Sequence, residues 1–277
     1  MFTLNCNGRL LTIRKPLVIG IINATPDSFY AGSRQQNVDG ILAQAEAMLG
    51  AGADLLDIGG QSTRPGSQPI STSEELQRVL PGVEAIHRNF PEAFISIDTY
   101  YARVAADAVE AGACLINDIS AGTLDPIMLA TVAGLRVPYV LMHMQGRPQT
   151  MHDAPVYENV TREVLDFLIH KIQNLENAGI KDIIVDPGFG FGKTIAHNFE
   201  LLRNLGVFRM LNRPLLLGLS RKSTIYKTLG ISANDALNGT TVLNTIGLMN
   251  GAAFLRVHDV KEAVEAVVLV SNVNLQT

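Results

Sequence analysis

Hydrophobic and polar positions alternate along this chain on two length scales. Short apolar runs, Leu17–Ile22, Leu55–Ile58, Phe94–Ile97, Leu115–Ile116, Tyr139–Met142, Ile183–Val185, Leu215–Leu217 and Ala253–Leu255, are separated by longer stretches with a helical period. Strands of a parallel sheet covered on both faces read as such near-continuous apolar runs. Between them Ile41, Ala45, Met48 and Leu49 recur at helical spacing, as do Val104, Ala108 and Ala111. Val164, Phe167, Leu168, Ile172 and Leu175 do the same in a longer segment. A small repeat, Ala51-Gly52-Ala53-Asp54, Ala111-Gly112-Ala113-Cys114, Ala178-Gly179-Ile180-Lys181 and Asn250-Gly251-Ala252-Ala253, precedes four of the runs. Glycine there can take the left-handed conformation that ends a helix and turns the chain into a strand. Eight strand–helix units without a linker predict one α/β domain, a (β/α)8 TIM barrel over residues 16–277. An open doubly wound sheet is the rival arrangement. Ahead of the barrel, Asn7-Gly8 between Phe2-Thr3-Leu4 and Leu10-Leu11-Thr12-Ile13 predicts an N-terminal β-hairpin over residues 1–15.

In such a barrel the chemistry collects where the strands end, because the loops that follow them converge on one rim. Read that way, the rim carries Asn23, Asp57 with Gly59-Gly60, Asp98, Asn117, His143, Asp186, the segment Ser220-Arg221-Lys222-Ser223, and Arg256 with His258. Each has a bland alternative. Asp98 before Thr99 can cap a helix, Asn117 can brace a turn, Lys222 can be a solvated charge, and His143 can pack in a wall. The bland readings account poorly for so many polar strand ends at one rim.

Composition narrows the picture further. A length of 277 residues suits one α/β barrel, and 47% hydrophobic residues supply its core. With 17% charged residues the chain is neither disordered nor a coiled coil. A net charge of -4 excludes a general nucleic-acid or membrane-surface binder, so an anionic substrate needs local positive charge. Cys6 and Cys114 fit no metal or redox pattern and read as free thiols in a reducing compartment. Met1 to Leu11 has no signal-peptide character, and no stretch reaches the roughly 18 apolar residues of a membrane helix. The expected location is the cytoplasm.

Two segments are specific enough to carry a family resemblance. They are Ile19-Gly20-Ile21-Ile22-Asn23-Ala24-Thr25-Pro26-Asp27-Ser28-Phe29 and Gly52-Ala53-Asp54-Leu55-Leu56-Asp57-Ile58-Gly59-Gly60-Gln61-Ser62-Thr63-Arg64-Pro65-Gly66. Further along come Ser96-Ile97-Asp98-Thr99, Ile116-Asn117-Asp118-Ile119, Asp186-Pro187-Gly188-Phe189-Gly190-Phe191-Gly192-Lys193, Gly218-Leu219-Ser220-Arg221-Lys222-Ser223 and Leu255-Arg256-Val257-His258-Asp259-Val260. In this order the chain resembles the dihydropteroate synthases from end to end. It departs from them at Tyr30-Ala31-Gly32-Ser33, where an acidic residue and two glycines are usual, and at Ser223-Thr224-Ile225, where a Ser-Phe or Thr-Phe pair is common.

The resemblance implies a transferase of folate biosynthesis. Its substrates would be a dihydropterin pyrophosphate and p-aminobenzoate, and sulfonamides would be its inhibitors. It assigns the pterin slot to Asp98, Asn117, Ile119, Met142, Asp186, Gly218 and Lys222, with Asp98, Asp186, Lys222 and Arg256 as the catalytic set. It assigns p-aminobenzoate to Thr63, Pro65, Phe191 and Ser223, and pyrophosphate to Asn23, Arg64, Arg256 and His258. Asp27, Ser28 and Phe29 fall in a lid loop. Mg2+ is the implied cofactor with Asn23 as its protein ligand, and a homodimer is the implied assembly, with Ala263–Val270 as a contributor. Arg256 and His258 alternate about Val257, which would let both reach one phosphate. The bland alternative pairs Arg256 with Asp259 or Glu262. Two other functions stay open on the sequence. One is the related methyltransferase barrel that holds methyltetrahydrofolate, which lacks a pyrophosphate to bind. The other is a non-catalytic pterin-binding scaffold.

Overall fold

Asn7 and Gly8 both take positive φ, 53° and 86°, as the two central residues of a tight hairpin turn of type I′ must. They join β1 (Phe2–Cys6) to β2 (Arg9–Ile13) in the antiparallel hairpin that the sequence predicts. The computed structural model describes residues 1–24, 34–61, 68–147, 150–151 and 155–274.

Eight parallel strands follow: β3 (Leu17–Asn23), β4 (Leu55–Gly59), β5 (Phe94–Asp98), β6 (Leu115–Asp118), β7 (Tyr139–Met142), β8 (Ile183–Asp186), β9 (Leu216–Leu217) and β10 (Phe254–Val257). They neighbour one another in the order β8-β7-β6-β5-β4-β3-β10-β9. A parallel bridge between Val185 and Leu215 joins the two ends, which makes a barrel and excludes the open sheet. Around it lie α1 (Arg34–Gly50), α2 (Thr72–Asn89), α3 (Ala102–Glu110), α4 (Met128–Leu135), α5 (Val160–Asn177), α6 (Ile195–Arg203), α7 (Ser223–Leu229), α8 (Leu237–Met249) and α9 (Val260–Asn274). The strict alternation is broken once, since α7 and α8 both lie between β9 and β10. Gly52, Gly112, Gly179 and Gly251 all have positive φ, between 90° and 121°, so the repeat does mark the helix-to-strand turns. Most strands extend one or two residues past their apolar runs, because a backbone ladder is indifferent to side-chain polarity.

Successive strand residues face opposite sides. Val18, Ile22, Leu56, Ile58, Ile95, Ile97, Ile116, Leu141, Val185 and Leu255 face outward and pack under the helices. Ile19, Leu55, Leu115, Val140, Ile184, Leu216 and Phe254 face inward and pack against Leu4, Cys6, Leu11 and Ile13 of the hairpin. The hairpin therefore closes the floor of the barrel. Cys6 and Cys114 are free, buried and part of that floor. Among the described residues, no helix is long and apolar enough to cross a membrane.

Candidate active site

Following the inward rows upward from the apolar floor gives the rim its chemistry. Two residues beyond Leu55, Leu115, Val140, Ile184, Leu216 and Phe254 stand Asp57, Asn117, Met142, Asp186, Gly218 and Arg256, and Asp98 ends β5 beside them. The same two-residue period that buries the floor thus aims these groups into the barrel mouth.

Arg256 spans the mouth. Its Nε donates to Asp57 Oδ2 and its Nη2 to Asp98 Oδ2, each at 2.6 Å. Asn117 Nδ2 donates to the same Asp57 oxygen at 3.0 Å, while Asp57 Oδ1 is buried without a hydrogen-bond partner among the described residues. Burial pushes the Asp98 carboxyl above the ordinary carboxylate range, and the Arg256 cation opposes that shift. Removing either partner would leave a charge uncompensated in a dry place.

Asp186 and Lys222 form the other side. Burial raises the Asp186 carboxyl, chiefly against the pull of the Lys222 cation. Burial lowers the Lys222 ammonium to about 8, and Asp186 opposes it. Asp186 Oδ1 accepts the Gly188 N–H at 2.7 Å. Lys222 Nζ donates to the Phe189 carbonyl at 2.5 Å and lies 4.5 Å from the centre of the Phe191 ring. A Cβ at Gly218 would stand 3.7 Å from Lys222 Nζ and 4.0 Å from Asp186 Oδ2, so its absence keeps the space between them open.

An apolar wall completes the slot. Ile119, Met142 and Phe191 share one buried cluster with Tyr100 and Met151. The latter two were not among the predicted site residues, since loop paths bring them in and no strand period announces them. Asp57 was read on the rim but not in the slot, although it lies in register with the inward row. Ser223 opens α7 directly after Lys222, and Asn23 ends β3, half-buried, in register with Gly59.

Other expectations resolve differently. Arg256 and His258 do not make a joint cationic face. Arg256 leans across to the carboxylates, whereas His258 lies past the strand end, with its Nδ1 3.0 Å from Ser220 Oγ. The alternative pairing of Arg256 with Asp259 is not found either, because Arg221 holds Asp259 at 2.8 and 2.9 Å. Asp98 caps no helix, since the first N–H of α3 is accepted by Asp125 Oδ2 at 2.8 Å. His143 is a buried wall residue, 6% exposed. Asp27, Ser28, Phe29, Thr63, Arg64 and Pro65 lie outside the described residues.

The geometry suits a flat ring rich in N–H donors: carboxylate and amide acceptors at its edge, an apolar wall at its face, and cations set among the carboxylates. A barrel with such a mouth defines a class of enzyme that grips a heterocycle at the strand ends. Residues 19–258 match the family described as pterin binding enzyme. The chain is 45% identical over 261 residues to the dihydropteroate synthase of Escherichia coli (strain K12), covering 94% of this chain and 92% of that one. It is similar to the Yersinia pestis dihydropteroate synthase in its sulfonamide drug complex, with a TM-score of 0.93, 42% identity, and 99% and 100% of the two chains covered. Against Xanthomonas albilineans dihydropteroate synthase in complex with 7,8-dihydropteroate the TM-score is 0.90 and the identity 39%, over 99% and 100% of the chains. This chain belongs to the pterin-binding enzyme family, on its dihydropteroate synthase branch.

Proposed function

We propose that this chain condenses 6-hydroxymethyl-7,8-dihydropterin pyrophosphate with p-aminobenzoate, giving 7,8-dihydropteroate and pyrophosphate. The observation that carries the reading is the mouth itself: Asp98, Asn117 and Asp186 at one edge, Lys222 and Arg256 beside them, on a chain so close to named synthases. The two rival functions use less of this set, since neither has a leaving anion for Arg256 to meet.

In the reaction, the bond between the pterin methylene carbon and the pyrophosphate oxygen breaks, and its electron pair leaves with pyrophosphate. The cation left on the methylene is delocalised into the pterin ring. Asp98 and Asp186 hold the ring by its N–H edge and place negative charge near that cation. Lys222 contacts the ring carbonyl, and the departing anion is met from two separate places, by Arg256 in the mouth and by His258 beyond the strand end. The amine nitrogen of p-aminobenzoate then donates its lone pair to the methylene and loses a proton. Phe191 and Ser223 flank that amine's ring, and the family resemblance assigns Thr63 and Pro65 to the same substrate and Arg64 to the anion. Sulfonamides compete for the aminobenzoate position.

Among the described residues, no three His, Cys, Asp or Glu side chains stand together as a metal cage. The half-buried Asn23 amide oxygen is a hard donor of the kind magnesium prefers, and it would be the protein ligand that holds the ion. When bound, Mg2+ supplies positive charge against the leaving pyrophosphate.

The assembly is a homodimer built on the outer face of α8 and α9. Along Ala263–Val270 the side chains divide. Ala263, Ala266, Val267 and Val270 are buried inward, whereas Leu269 is 69% exposed and Met249 on α8 is 64% exposed. Sedimentation at micromolar concentration checks this, with a dimer expected and Leu269→Glu shifting it to monomer. A wild-type monomer overturns it. For the activity, the purified chain is mixed with the pterin pyrophosphate, Mg2+ and p-aminobenzoate. Dihydropteroate is the expected product, its yield cut roughly tenfold or more by Asp186→Ala, the scale of one lost charge-assisted hydrogen bond. No product from the wild-type chain overturns the reading.

A further inference from the structure

The turn after β8 contains three left-handed glycines, Gly188, Gly190 and Gly192, at φ 73°, 81° and 60°. Such a stretch has little intrinsic reason to hold one shape. Yet it organises the site from several directions. Its Gly188 N–H orients Asp186, its Phe189 carbonyl accepts from Lys222, and its Phe191 ring lies beside the Lys222 ammonium.

What holds the turn lies behind it. Lys193 is buried, 5% exposed. Its Nζ donates to the carbonyls of Gly188 at 2.9 Å, Phe191 at 3.0 Å and His143 at 3.3 Å, and it stands 2.9 Å from His143 Nδ1. Burial lowers the Lys193 ammonium to about 7, opposed by Asp186 and reinforced by Lys222; in its charged form it has no acceptor of its own, so the imidazole accepts at Nδ1. Burial, and then the neighbouring Lys193 charge, push His143 down to about 3, so the ring is neutral with its proton on Nε2. The two turns also meet at backbone distance. A Cβ at Gly188 would lie 1.8 Å from the His143 carbonyl oxygen, and one at Gly192 2.4 Å from that of Gln145. One buried lysine head group therefore ties the turn after β8 to the strand end of β7. The charged groups facing it are Asp186 from β8 and Lys222 from the start of α7.

We propose that Lys193 and neutral His143 form a clamp that positions the Gly188–Phe191 turn for both substrates, an inference that rests on the synthase reading above. Both are positioning residues, since they act through Asp186, Lys222 and Phe191. Two substitutions at His143 isolate the contact. His143→Leu keeps bulk and removes the acceptor, whereas His143→Asn can restore an acceptor oxygen where Nδ1 stood. His143→Leu is expected to raise KM for p-aminobenzoate and the pterin pyrophosphate about tenfold, the scale of one lost hydrogen bond to a charged group, with kcat little changed. His143→Asn is expected to recover most of that loss. Lys193→Met should be worse than either, and if it does not fold the His143 pair still decides. Amide hydrogen exchange across residues 186–193 gives a readout independent of turnover, faster in His143→Leu and near wild type in His143→Asn. Unchanged exchange and KM in His143→Leu overturn the clamp. So does equal damage in both variants, which would assign the effect to ring packing against Phe167, 4.8 Å away. A wild-type chain that makes no dihydropteroate overturns the synthase reading instead, while the exchange comparison still judges the clamp.

Discussion

At the scale of single residues, Lys222 shows how burial sets function. As an ammonium it adds charge to the hydrogen bonds it donates to the Phe189 carbonyl and to a substrate carbonyl, yet burial lowers it to about 8. Asp186 opposes the fall but does not cancel it. As pH rises through that value the cation is lost, so kcat/KM for the pterin substrate should decline above about pH 8. A pH profile from 6 to 9.5 checks this, and a flat profile to 9.5 would remove Lys222 from its role. The rim position of Lys222 was legible because a strand end followed by Ser-Arg-Lys-Ser is costly to bury without a purpose. Its partner, a backbone carbonyl on the neighbouring turn, was not, since a carbonyl leaves no mark in a sequence. The same holds for the Arg256 bridge. Both ends were legible as rim residues, but 158 positions separate Arg256 from Asp98.

Among the elements, the hairpin separates stability from catalysis. Leu4 and Leu11 are 3% and 7% exposed and seal the floor, on the opposite side of the barrel from the mouth. Leu4→Ala should cost about 2–4 kcal/mol of stability through lost burial and the residual cavity. Thermal unfolding should show a lower Tm, while KM for both substrates stays at its wild-type value. A KM that changes together with Tm would mean that the floor communicates with the mouth. The hairpin's existence follows from Asn7-Gly8, because only such a pair readily supplies two consecutive positive φ values. Its place under the barrel does not follow, since an apolar hairpin face can cover either end of a barrel.

In the molecule as a whole, the buried carboxyl of Glu75 is weakly partnered. Glu75 on α2 is 0% exposed, and neither of its carboxylate oxygens has a hydrogen-bond partner among the described residues. Burial pushes its carboxyl up from 4.5 to about 7, opposed by the nearby Thr99 hydroxyl and the Arg78 cation and reinforced by the negative charge of Asp98. The sign follows from proton binding. Between those two values the folded chain holds a proton that the unfolded chain has lost, so this group's contribution to stability falls as pH rises through the window. Glu75→Gln removes the penalty. It should raise stability at pH 8 by about 1–3 kcal/mol relative to wild type and leave it nearly unchanged at pH 4.5. Denaturant melts at the two pH values test this, and an equal effect at both would show that ionisation of Glu75 is not the cause.

The sequence by itself determined the barrel, because its apolar runs, helical periods and glycine turns each follow from local backbone physics. It also determined which polar residues reach the rim, because a strand's two-residue period carries an apolar floor upward into Asp57, Asn117, Asp186 and Arg256. Only the tertiary structure decided who meets whom. Arg256 turns to two carboxylates and not to His258, His143 serves Lys193 and not the slot, and Tyr100 and Met151 join the apolar wall. These outcomes depend on competition among partners distant in sequence, settled by burial: in a dry barrel mouth each charge takes the neighbour that best offsets its lost hydration, and no local pattern encodes that choice.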